Sequence, residues 1–140
     1  MNEGVLVIHT DGGARGNPGP SACAFVAEKA GKLIFKDSKY LGITTNNQAE
    51  YQGAILALKW FTGTDTGLHI STVEFYLDSE LIVRQLNGVY KVKDKDLRQL
   101  FFEASSLIKS IPLKIIFKNI PRSKNKLADL LVNQELDRQH

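Results

Sequence analysis

The stretch Thr10-Asp11-Gly12-Gly13-Ala14-Arg15-Gly16-Asn17-Pro18-Gly19-Pro20 follows Val5-Leu6-Val7-Ile8, an apolar β-branched run that reads as a buried strand. A carboxylate at the end of such a strand is costly to bury unless something cationic meets it. Four glycines and two prolines follow the acid. They read as a tight loop, unable to continue the strand, whose bare backbone admits a ligand at close range. An acid beside an amide-rich turn suits a metal ion next to a phosphate or sugar. An ordinary hairpin turn with a surface aspartate is the competing reading of the stretch taken alone.

The 140 residues predict one domain, 1–140, with the composition of an ordinary globular protein: 43% hydrophobic and 24% charged. The single cysteine, Cys23, excludes an internal disulfide; within Ala22-Cys23-Ala24-Phe25-Val26 it reads as a small buried apolar residue. No charged-then-apolar leader opens the sequence, and no apolar run approaches a membrane span. A cytoplasmic monomer is the expectation. Charge is uneven: residues 1–90 carry 7 basic and 9 acidic groups, a net of −2, whereas residues 91–140 carry 11 and 6, a net of +5. That basic third fits a polyanionic partner, and a solvated basic face fits it too.

Outward from the opening strand, Val5–Thr10, Ala22–Glu28 and Leu33–Leu41 read as a three-strand antiparallel meander. Gly42–Asn47 breaks it, and a helix is predicted from Asn47 to about Phe61. Ala49, Leu56 and Trp60 line its apolar stripe, with Gly53 allowing close approach and Ala54, Leu58 and Phe61 widening it. Gly63–Gly67 ends it. A strand Thr72–Leu77, a short helix to about Leu86 and a lysine-rich connector Tyr90–Asp96 come next. A helix Lys95–Lys109, a strand Leu113–Phe117, a polar loop Ile120–Asn125 and a last helix Lys126–Leu136 complete the order βββαβααβα. This is an α/β fold, a mixed sheet with helices packed on its faces.

If the strand after the first helix pairs parallel with the opening strand, as a right-handed crossover favours, Asp11 and Asp78 share one end of neighbouring strands. They then lie about 5 Å apart across the sheet. Glu50, in the first turn of the long helix, leans over the same end, and Asp129 lies in a last helix whose apolar neighbours turn it toward the protein. Separately, Asp78 reads as a helix cap, Glu50 as a dipole-compensating acid and Asp129 as a surface charge. Together, clustered carboxylates repel unless cations balance them, and Mg²⁺ or Mn²⁺ are the natural hard partners. Two such ions suit in-line displacement at a phosphodiester.

Thr10–Pro20, Thr44-Thr45-Asn46-Asn47-Gln48-Ala49-Glu50, Leu77-Asp78-Ser79 and Asn125-Lys126-Leu127-Ala128-Asp129 resemble, in order and spacing, the signature of type 1 ribonuclease H. The resemblance spans nearly the whole chain. It implies a ribonuclease H-like five-stranded mixed sheet with helices on both faces. It also implies an endonuclease that cuts the RNA strand of an RNA–DNA hybrid, leaving 5′-phosphate and 3′-hydroxyl ends with two Mg²⁺ or Mn²⁺ ions. Asp11, Glu50, Asp78 and Asp129 match the metal-binding acids. Gly12, Gly13 and Ala14 match the turn whose backbone meets the RNA strand, Asn17, Asn46 and Asn47 the minor-groove readers, and Thr45 the anchor of a DNA phosphate. A non-catalytic hybrid- or duplex-RNA-binding module of the same fold is the alternative.

The chain departs from the family pattern twice. Many members carry a histidine before the last helix; here the loop is Ile120-Pro121-Arg122-Ser123-Lys124-Asn125. Arg122 is expected to meet a phosphate there but has no proton to exchange at ordinary pH. His9 shares a strand face with Asp11 and reads as a structural, hydrogen-bonded residue, with His69 and His140 as loop and tail. Many members also insert a basic helix and loop after the Asp78 helix, where this chain has only Lys91, Lys93, Lys95 and Arg98.

Overall fold

The strands are β1 Val5–Ala14, β2 Gly19–Lys29, β3 Lys32–Thr44, β4 Thr72–Leu77 and β5 Lys114–Asn119. The helices are α1 Asn46–Gly63, α2 Glu80–Leu86, α3 Lys95–Ser110 and α4 Lys126–Asp137. This is a computed structural model that describes residues 4–64 and 69–139. The strands form one sheet in the order β3-β2-β1-β4-β5. β1 to β3 pair antiparallel; β4 joins β1, and β5 joins β4, in parallel. The predicted order of elements and the ribonuclease H-like fold are what the chain adopts.

Two apolar layers explain the helices' places. On one face Leu6, Ile8, Phe25, Phe75 and Leu77 meet Tyr51, Ile55 and Leu58 of α1, with α3 behind them. On the other, Ala22, Ala24 and Val26 of β2 meet Leu131, Val132 and Leu136 of α4. β2 is therefore buried on both sides, which is why Ala22–Ala27 is almost uninterruptedly apolar. Cys23 is fully buried there, and burial pushes its thiol up to about 12, far from a nucleophile's range.

The opening stretch corrects the loop reading. β1 runs through Gly12, Gly13 and Ala14, paired with Cys23, Ala22 and Ser21, so the connection shrinks to residues 15–18. The glycines serve packing as well as turning. A Cβ on Gly12 would lie 2.1 Å from the Ala49 carbonyl oxygen, and one on Gly53 would lie 2.7 Å from that of Asp11. Strand and helix touch backbone to backbone at this crossing. Strand β3 also continues past Leu41 to Thr44, with Gly42 at φ 78° beside a bulge. Within α1, Leu56 and Trp60 stand only half-buried, while Tyr51 and Ile55 fill the core. The helix ends at Gly63, and 65–68, part of the expected terminator, lie outside the described residues.

Gly12→Ala forces backbone apart from backbone, where no side chain is free to yield. We expect a loss of about 1–3 kcal/mol or more in urea unfolding; an unchanged midpoint would contradict the close strand–helix contact.

Candidate active site

The parallel ladder between β1 and β4 ends at His9 opposite Tyr76, and past that point the two strands diverge. Asp11 lies two residues beyond it on β1, and Asp78 directly follows β4. Ser79, not Asp78, caps α2: its hydroxyl accepts the Ile82 N–H at 3.4 Å, leaving the Asp78 carboxylate free of that task. Thr45 likewise caps α1 in a reciprocal box with Gln48, which starts the helix so that Glu50 turns inward over the strand mouth. Carboxylate oxygens of Asp11, Glu50 and Asp78 all lie within 4.8 Å of one another. Asp129, on the first turn of α4, lines the same cleft of about 520 Å³ but stands outside this cluster. Its carboxylate meets the Arg122 guanidinium at 3.6 Å.

Crowding shows in the proton affinities. Asp11 and Glu50 are only 5% and 7% exposed. Burial, with the Asp78 and Asp129 charges added, lifts Asp11 to about 7 against the lowering influence of the Glu50 carboxyl and the Gly12 N–H. Glu50 is held well above the carboxylate range by burial and by Asp11 beside it. Asp78 is raised by burial and held back by the Asn125 amide and Arg122. Glu50 Oε1 accepts the Gly12 N–H at 3.1 Å, while its Oε2 is buried with no partner. Among the described residues no lysine or arginine forms an ion pair with Asp11, Glu50 or Asp78. An unpaired buried oxygen among three mutually close carboxylates fits hard divalent cations, which would supply the missing positive charge.

Around the acids runs a chain of amide contacts. Asn46 Oδ1 accepts the Ala14 N–H at 2.9 Å, and Asn17 Oδ1 accepts the Asn46 N–H at 3.0 Å. Gly12, Gly13, Ala14, Asn46, Asn47 and Arg122 line the cleft; Asn17 and Thr45 do not, but Asn17 fixes Asn46, which does, and Thr45 caps the helix that carries Glu50. Arg15 also lines it, a residue passed over in the sequence although it lies inside the opening motif. Its guanidinium reaches Asp137 at 2.7 Å and the Asn133 carbonyl at 3.4 Å, tying the short loop to α4.

Among the described residues, neither histidine joins the cluster. His9 stacks on Tyr76, with ring centroids 5.2 Å apart, and its Nδ1 is buried with no hydrogen bond, contrary to the expected bonded role. Burial lowers its pKa, keeping the ring neutral. His69 is exposed and His140 lies outside the described residues. From α3, Arg98 donates to the Val92 and Lys93 carbonyls and so braces the connector that precedes the helix.

A family model described as reverse transcriptase-like matches residues 9–135. The solved structure of LC11-RNase H1, in complex with RNA/DNA hybrid, superposes with a TM-score of 0.90 at 42% identity, covering 96% of this chain and 98% of that one. The chain belongs to the type 1 ribonuclease H family. Ribonuclease HI of Halobacterium salinarum is 37% identical over 135 residues, which are 96% of this chain and 65% of that protein. A bifunctional protein of Mycobacterium tuberculosis is 35% identical over 136 residues, 94% of this chain and 35% of that one. The chain thus spans about a third of the mycobacterial relative's length and somewhat under two thirds of the halophile's. Within the described residues of this ribonuclease H family member, no helix is long and apolar enough to cross a membrane.

The crowded acids make stability depend on pH in the cation-free protein. With Asp11 at about 7 when folded against an ordinary 3.8, the folded state binds more protons between these values. Stability therefore falls as pH rises from about 4 to 7. Asp11→Asn removes that loss. In EDTA it should gain on the order of 1–3 kcal/mol at pH 8 and nothing at pH 3.5, read by urea unfolding. An equal effect at both pH values would refute the assignment.

Proposed function

We propose that the chain is an endonuclease that hydrolyses the RNA strand of RNA–DNA hybrids, leaving 5′-phosphate and 3′-hydroxyl ends. The observation that carries this reading is the three-carboxylate cluster with its unpartnered Glu50 oxygen, at the foot of an open cleft. The likeness to a relative solved with an RNA/DNA hybrid supports the choice of substrate. Asp11, Glu50 and Asp78 would hold two Mg²⁺ or Mn²⁺ ions, with Asp129 at the cleft wall completing the set. Such ions supply charge neutralisation for the phosphodiester and an easier deprotonation of the attacking water.

The chain's own groups do the rest. Backbone N–H groups can only donate, so the Asn46 and Asn17 oxygens are committed to Ala14 and Asn46. Both side chains are thereby oriented to offer NH₂ donors, which suit minor-groove acceptors and the oxygen of a ribose 2′-hydroxyl. Asn47, exposed on the cleft wall, can add a further amide. Thr45 Oγ1 accepts the Gln48 N–H and retains its own hydrogen for a DNA-strand phosphate. Ala14 and Gly12 spend their N–H groups on Asn46 and Glu50, so the part of this strand end toward RNA is one of clearance. Arg122, exposed beside Asp129, suits a phosphate.

Cleavage of an end-labelled hybrid tests the reading. Cuts along the RNA strand should require Mg²⁺ or Mn²⁺ and vanish in Asp78→Asn, which should still bind the hybrid. Binding without cutting in either metal would establish the non-catalytic module instead.

Gly13 separates clearance from packing. A Cβ there meets nothing nearer than Val132 Cγ1 at 3.9 Å, so Gly13→Ala should melt like the wild type. Its methyl faces the cleft, and KM for the hybrid should rise about tenfold through lost close approach. An unchanged KM would remove Gly13 from the binding surface.

A further inference from the structure

We propose that Asn125 is a positioning residue for the carboxylate cluster, its buried amide bridging the gap where β1 and β4 part. This inference rests on the metal-dependent nuclease reading. The β1–β4 ladder ends at His9 opposite Tyr76. One residue further, the Thr10 carbonyl takes its hydrogen bond from Asn125 Nδ2 at 2.8 Å. On the other side of β4 the pairing continues to Leu77 opposite Asn119, and the Leu77 carbonyl accepts from Ile120 N–H at 2.9 Å and Asn119 Nδ2 at 3.1 Å. The mouth beside Asp11 and Asp78 is therefore closed on one flank by continued strand pairing with the Ile120 N–H and Asn119 amide, and on the other by the Asn125 side chain alone.

Asn125 does this instead of the task its place suggests. It stands at the N-cap of α4, where asparagine ordinarily accepts a backbone N–H of the first turn, yet its side chain makes no such bond. The amide turns away from the helix toward the sheet. Its orientation is fixed, because only the nitrogen can donate to the Thr10 carbonyl. The Oδ1 atom is consequently left buried and unpartnered in a residue only 1% exposed. A side chain present for packing alone gains nothing from burying an unpaired carbonyl. What the amide contributes is its donor, which also acts on the Asp78 carboxylate. The backbone of the same residue accepts the Asp129 N–H at 3.1 Å and so starts the turn that carries the fourth acid. One residue thus links the ends of β1, β4 and α4.

Asn125→Leu keeps the branched shape and removes the donor. At a temperature well below its melting point, its affinity for Mn²⁺, titrated calorimetrically with no nucleic acid present, should fall roughly 10–100-fold. The kcat on a hybrid should fall with it, while KM stays within about twofold. A lowered melting temperature with Mn²⁺ affinity and kcat intact would make the role purely structural and overturn the proposal. Should the variant not fold, the wild-type side-chain NH₂ signals of Asn125 in ¹H–¹⁵N spectra decide: they should shift as Mg²⁺ is added, and constancy overturns the proposal. A wild-type chain that binds no Mn²⁺ and cuts no hybrid defeats the nuclease reading and this one with it. One that does both, with a Leu variant equal to it, defeats this one alone.

Discussion

Three carboxylates held within 4.8 Å, two of them almost wholly buried, cannot all carry charge without company. That constraint organises the molecule. In the protein alone the crowding and burial raise Asp11, Glu50 and Asp78 above the ordinary carboxylate values, and the Gly12 N–H satisfies only one Glu50 oxygen. The arrangement works against folding at neutral pH, so the rest of the fold must hold it in place. Two apolar layers, one on each face of the sheet, provide the stabilisation.

Holding it needs a close approach that side chains would prevent. Gly12 on β1 and Gly53 on α1 remove a Cβ from each partner at the point where the helix crosses the strand. The helix settles against the backbone, and Glu50 arrives above Asp11 from a position that a wider crossing would not reach. The caps finish the task. Thr45 and Ser79 take the N-terminal N–H groups of α1 and α2, so neither Glu50 nor Asp78 is drawn into helix capping.

Much of this was legible in the residues. Apolar periodicity and breakers marked every strand and helix, and the right-handed crossover placed Asp11 beside Asp78. What escaped had identifiable causes. Glycine pairs are ambiguous between turn and close packing, and only the helix lying across β1 decides that Gly12 and Gly13 extend the strand. On α1 the apolar stripe puts Ala49, Ala54 and Leu58 in the core as expected, whereas the sheet's position also turns Tyr51 and Ile55 inward and leaves Leu56 and Trp60 half-buried. Asn125 and Arg15 were both inside quoted motifs, but their partners Thr10 and Asp137 lie more than a hundred residues away in sequence. No local pattern encodes such contacts.

The amides around the acids carry a further consequence. Asn17, Asn46 and Ala14 form a relay in which each oxygen is already satisfied by a backbone N–H. The outward NH₂ groups are therefore set before any nucleic acid arrives, and little ordering remains to be done on binding. Such donors recognise shape and sugar rather than base identity, since every base pair offers acceptors in the minor groove. On the proposed function, a rigid donor frame over a charge-starved carboxylate cluster would separate two tasks physically, the amides selecting the strand and the acids gathering the cations. The ionic contacts at the rim are a different kind of element. Arg15 and Arg122 reach across exposed surface to Asp137 and Asp129, where such pairs contribute little to stability and exchange partners readily. A phosphate entering the cleft competes with those aspartates on nearly equal terms, whereas it has no comparable access to the buried amide of Asn125.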